Sequence, residues 1–103
     1  MITRKDLRSV DTGYFDILES TPFYIVLYSR NTGHYWYLLE QEPNHHRSFH
    51  VFHKHHRSDA YHPQTCRRSV VACCQYIKGH DSFHLKREET KKRKIEEHQT
   101  KMF

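Results

Sequence analysis

Residues 49 to 62 read FHVFHKHHRSDAYH and place five histidines in fourteen positions, out of eleven in the whole chain. Imidazole is the commonest metal-binding side chain and the usual acid-base group near neutral pH. Strand alternation puts His53 and His55 on one face and His50 and His56 on the other, so only part of the set can act together. His62 and Cys66 follow, four residues apart, where a helix is expected to start. A zinc site therefore draws on His53, His55, His62 and Cys66, because a protein-bound zinc ion takes three or four ligands at about 2.0 to 2.3 Å. Neither C-x-x-C nor His-Glu-x-x-His accompanies them, and spacing alone does not set them apart from exposed histidines on a strand.

The same side chains fit metal-independent, ribonuclease-like acid-base chemistry, in which two histidines and a cation act as base, acid and phosphate stabiliser. His34, His50, His53 and His80 all qualify, the last beside Asp81. With so many pairs to choose from, no residue is singled out as catalytic, and the sequence favours a binding protein over an enzyme. Cys66, Cys73 and Cys74 share an apolar helical pattern, which predicts buried, unactivated thiols rather than nucleophiles.

Charge suggests a different partner. The net charge is +5 with histidine neutral. Residues 1 to 42 hold four Lys/Arg against six Asp/Glu, residues 43 to 83 hold six against two, and residues 84 to 103 hold seven against four. The basic excess thus begins at the histidine stretch, which predicts RNA or DNA as partner, with phosphate contacts from Lys54, Arg57, Arg67, Arg68, Lys91, Lys92, Arg93 and Lys94. Such binding is expected to weaken with salt and to strengthen below about pH 6.5 as imidazoles charge. A third reading uses the rings of Tyr14, Tyr24, Tyr28, Tyr35, Trp36 and Tyr37, whose surface exceeds what one helix covers and suits a homodimer or partner protein.

The elements that must position these residues follow from pattern. YFDILES (14–20), PFYIVLYSR (22–30), HYWYLLEQ (34–41) and SFHVFHKH (48–55) are rich in aromatic and β-branched residues and read as four strands. Asn31-Thr32-Gly33 supplies a hairpin turn between the second and third, and a polar loop over 42–47 precedes the fourth. Phe23, Ile25 and Leu27 oppose Tyr24, Val26 and Tyr28, while Tyr35, Tyr37 and Leu39 oppose Trp36 and Leu38. Both faces are substantially apolar, which places these two strands in the centre of the sheet. The fourth strand mixes rings and imidazoles on each face and reads as an edge.

A helix is expected from Pro63, a residue favoured at the first helical position, to Lys78, with Gly79 as its stop. Cys66, Val70, Cys73 and Ile77 would form its apolar stripe, widened by Val71 and Cys74. The first twelve residues fit a short helix or an arm, and residues 84 to 103 fit a charged helical or disordered extension. The expectation is an α+β chain: one domain over 1–83, built as a four-stranded antiparallel meander under a helix at 63–78, then the extension at 84–103. Free, apolar-patterned cysteines and the lack of any membrane-length apolar run predict a cytoplasmic protein with no membrane partner and no required cofactor.

Overall fold

The computed structural model describes the backbone of residues 1–41 and 46–101, and the side chains of 1–41 and 46–95. Most of the expected loop, at 42–45, lies outside the described residues. The elements run α1 (Arg4–Arg8), β1 (Phe15–Ser20), β2 (Tyr24–Ser29), β3 (His34–Gln41), β4 (Ser48–Lys54), β5 (His62–Arg67) and α2 (Val70–Lys101). The fold is α+β: one antiparallel sheet in the order β1-β2-β3-β4-β5, with α2 on one face.

The meander is as expected, but it has five strands rather than four. Pro63 does not open a helix; it stands second in β5, an edge strand in which its missing N–H costs no ladder bond. It also sits at an irregularity, because the β4 and β5 registers shift between Val51 and Phe52, so Gln64 is the extra residue between Thr65 and Pro63. β4 is therefore an inner strand, and its alternation is strict: Phe49, Val51 and His53 are buried toward α2.

α2 begins at Val70 because Ser69 caps it. The Ala72 N–H donates to Ser69 Oγ at 3.0 Å and the Cys73 N–H to the Ser69 carbonyl at 3.0 Å. Gly79 does not end the helix, which continues to Lys101. An interior glycine costs a helix about 1 kcal/mol against alanine, which is too little to outweigh the packing on either side of it. Buried Val70, Cys73, Cys74, Ile77 and Asp81 follow helical spacing, and the first four form one core with Phe15, Ile25, Leu27, Trp36, Leu38, Phe49 and Val51 of the sheet. Cys66 and Val71, both expected on that stripe, are exposed. Burial pushes the Cys73 thiol up to about 12 and the Cys74 thiol up to about 11, so neither is a thiolate near neutral pH.

Two local features fix the two ends of the sheet. Gly33 takes a positive φ of 73° at the β2–β3 turn, its N–H donating to the Ser29 carbonyl at 2.8 Å, and this turn delivers His34 to the first position of β3. At the opposite end, α1 carries a capping box between Thr3 and Asp6. Arg47 donates to both Asp6 (2.8 Å) and Glu40 (3.1 Å) there, tying the N-terminus to the β3–β4 end of the sheet. No helix among the described residues is long and apolar enough to cross a membrane.

A candidate metal centre of buried histidines

Three antiparallel pairings bring the histidines together. Trp36 of β3 lies across from His53 of β4, and two further steps of the same register set His34 across from His55, just past the end of β4. His53 in turn faces His62 of β5. All of these point to the covered face or its rim, His62 from the exposed edge strand, and α2 adds His80 and His84 one turn apart.

The result is a continuous imidazole cluster. His34 Nδ1 and His53 Nε2 are 3.0 Å apart and share a hydrogen bond. The His34 and His55 rings stack at 4.1 Å with an 8° interplanar angle; the His84 ring meets His34 edge-on at 4.7 Å. His80 lies 4.9 Å and His62 5.4 Å from His53, centroid to centroid. His34, His53 and His55 each offer one ring nitrogen, and the three nitrogens lie within 4.8 Å of one another.

Burial grades the cluster. His34 is 4% exposed and His53 1%, whereas His55 lies at the surface. Burial, reinforced by neighbouring His55, lowers the His34 imidazole to about 4; burial and the adjacent His34 lower His53 to about 3. His80 is lowered for the same first reason. These three rings are neutral at pH 7, so the expectation that the histidines as a group charge below about pH 6.5 is corrected for them. Neutral rings keep lone pairs available to a cation.

One neighbour, Asp81, opposes this neutrality and favours positive charge. Asp81 is fully buried on α2 and accepts from Tyr14 Oη (2.7 Å) and Thr32 Oγ1 (3.2 Å). Its carboxylate acts on both His34 and His80 in the direction that stabilises a cation. Burial, with the hydrogen bond to Asp81, raises the Tyr14 phenol above its ordinary value, so that hydroxyl stays a donor. Two buried polar atoms at the cluster, His80 Nδ1 and Trp36 Nε1, have no hydrogen-bond partner among the described residues, an arrangement that costs stability.

The expected zinc set is thus reorganised. His53 and His55 come together, and His62 borders His53, but Cys66 lies across from His50 and exposed, on the sheet face away from His53. The third ring nitrogen comes from His34, which is outside the expected zinc set.

The expected phosphate contacts are also dispersed. Lys54 projects from the open sheet face, its ammonium 4.4 Å from the Tyr61 centroid and donating to the Arg57 carbonyl at 2.8 Å. Arg67 belongs to β5 rather than a helix, with its guanidinium 4.8 Å from the Tyr76 centroid and bonded to the Cys66 carbonyl. Arg68 is exposed in the turn before α2, and Lys91, Lys92, Arg93 and Lys94 are exposed on α2 itself. The open face carries mutually packed rings, with Tyr24 on Tyr37 at 4.8 Å and Tyr28 against Tyr35 at 5.2 Å.

Comparison with protein-family models, curated proteins and solved structures returned no match.

Proposed function

We propose that this protein binds one divalent transition-metal ion, zinc in the first instance, through His34, His53 and His55. The observation that carries the reading is the convergence of three imidazole nitrogens, from β3, β4 and the residue just past β4, to within 4.8 Å. Zinc–nitrogen bonds of about 2.0 to 2.1 Å set the nitrogens of one tetrahedral site about 3.4 Å apart. His34 and His53 already meet at 3.0 Å. His55 must turn out of its stack on His34, and an exposed ring past a strand end does so readily because χ2 of histidine is broad. An all-imidazole set suits zinc, copper or nickel rather than calcium or magnesium, and the absence of thiolate from this trio disfavours copper(I) and iron–sulfur chemistry.

The chain's only tryptophan, Trp36, lies 4.1 Å from the His53 ring and reports on occupancy. Titrating untagged, metal-stripped protein with zinc at pH 7 is expected to change Trp36 fluorescence and to saturate at one equivalent, with micromolar or tighter affinity. Substoichiometric or unsaturable binding would overturn the reading.

A second reading, association with RNA or DNA, is favoured by one specific feature. Lys86, Arg87, Lys91 and Lys94 border a single groove on α2 together with Phe83 and Thr90, so phosphate contacts would come from this row rather than from Lys54 or Arg67. Four such contacts predict that affinity for a single-stranded oligonucleotide falls about 50-fold between 50 and 200 mM salt. Affinity indifferent to salt would remove it.

A further inference from the structure

We propose that the groove beside the histidine cluster takes a phosphate-class oxyanion as an additional ligand of the bound metal, with Arg87 and Lys91 as its counter-charges. The inference rests on the metal reading above.

Three protein nitrogens leave a tetrahedral metal one position short, and such open positions are where water or substrate binds. Burial decides which way that position faces. His34 and His53 are almost wholly enclosed, so, among the described residues, exposed His55 marks the solvent side of the trio. On that side lies a groove of about 420 Å³, lined by His55, His84, Phe83, Arg87, Glu88 and Lys91 among others. The α2 residues stand at i, i+3, i+4, i+7, i+8 and i+11 counted from His80, hence on one face of the helix, the face that carries His80 and His84.

The composition of that groove selects its occupant. Its permanent charges are Arg87 and Lys91 against Glu88, and Lys91 stands 4.0 Å from the Glu88 carboxylate. With a divalent ion at the trio and the buried Asp81 carboxylate beside it, the local sum is about +2, a field that favours an anion over a neutral or cationic ligand. Arg87 presents a planar fork suited to bidentate recognition of phosphate or carboxylate, and its guanidinium is held 6.0 Å over the Phe83 ring. Phe83 is 63% exposed at the rim, an apolar surface for whatever the phosphate is attached to. The pieces of an oxyanion site are therefore present in one wall: an open metal position, a fork, an ammonium and a ring.

Cobalt(II) in place of zinc makes the proposal visible, because its visible absorption responds to a change of ligand. The full chain loaded with one equivalent of cobalt is titrated with inorganic phosphate, and separately with a short oligonucleotide lacking terminal phosphates. A saturable spectral change is expected, weakened about tenfold or more in the R87A/K91A double variant while cobalt affinity stays within about twofold of the parent. A response at lower concentration of oligonucleotide assigns the natural ligand to a phosphodiester backbone; a response at lower concentration of phosphate assigns it to a free phosphate or monoester. Cobalt bound with a spectrum indifferent to both ligands, or a double variant with unchanged phosphate affinity, overturns this inference alone. Failure of cobalt to bind overturns the metal reading as well.

Discussion

His55→Ala is expected to weaken zinc binding by about 100-fold or more while leaving the thermal midpoint of the metal-free protein nearly unchanged. The separation of the two effects follows from position. His55 stands just beyond β4 (Ser48–Lys54) and is exposed, so its removal leaves no cavity and strands no buried donor. Its nitrogen is nonetheless one of the three that converge. His53→Ala would not discriminate in this way. That ring is buried against Trp36, His34 and His80, and deleting it opens the core as well as the site. His50→Ala supplies the control, because His50 lies on the opposite sheet face and should leave zinc affinity intact. Equal losses for His50→Ala and His55→Ala would show adventitious binding by a histidine-rich surface.

The metal-free protein is expected to lose stability steeply between pH 6.5 and 4.5, earlier than carboxylate protonation would cause. In the unfolded chain the imidazoles titrate near 6.5; in the fold His34 is held at about 4 and His53 at about 3, chiefly by burial. Below pH 6.5 the unfolded chain therefore takes up protons that the folded chain refuses. Stability falls with pH across this window, and the loss levels off only as the folded rings protonate. Each fully neutral buried imidazole forfeits about 2 kcal/mol at pH 5, so the pair shifts the thermal midpoint down by roughly 10 °C or more relative to pH 7. The carboxylates act elsewhere. Asp6, held at about 2 chiefly by its hydrogen bond from Arg47, contributes stability that is present above its ordinary value of 3.8 and is lost only as pH falls toward 2. Thermal melts by circular dichroism at pH 7, 6 and 5 measure the slope, and a flat profile across that range would mean that the rings are not held neutral.

How far the sequence reveals this arrangement varies by element. β2 and β3 are legible because period-two alternation is strong, and Asn31-Thr32-Gly33 marks the turn that positions His34. Cys73 and Ile77 are legible as core from helical spacing. β5 is hidden by Pro63, which suits a first helical turn and an edge-strand irregularity equally well. The better signal lay downstream, in Ser69 before the run Val70-Val71-Ala72, where a serine cap opens the helix. Losing β5 also moved Cys66 into the expected site, since a helix start would set it near His62 while a strand sets it across from His50. Gly79 misled in the same way, because a glycine stops a helix only where packing does not continue past it, and here Asp81 is buried beyond it. The pairing of His34 with His55 is long-range: it depends on the register across the β3–β4 connection, and no local pattern encodes that.

Zinc K-edge X-ray absorption on the stoichiometric complex tests the central claim most directly, because it counts imidazoles and detects sulfur in one spectrum. The predicted result is a nitrogen and oxygen shell at about 2.0 Å with three imidazoles and no sulfur. A sulfur shell at about 2.3 Å would assign the metal to Cys66 or another cysteine instead, and would contradict the account.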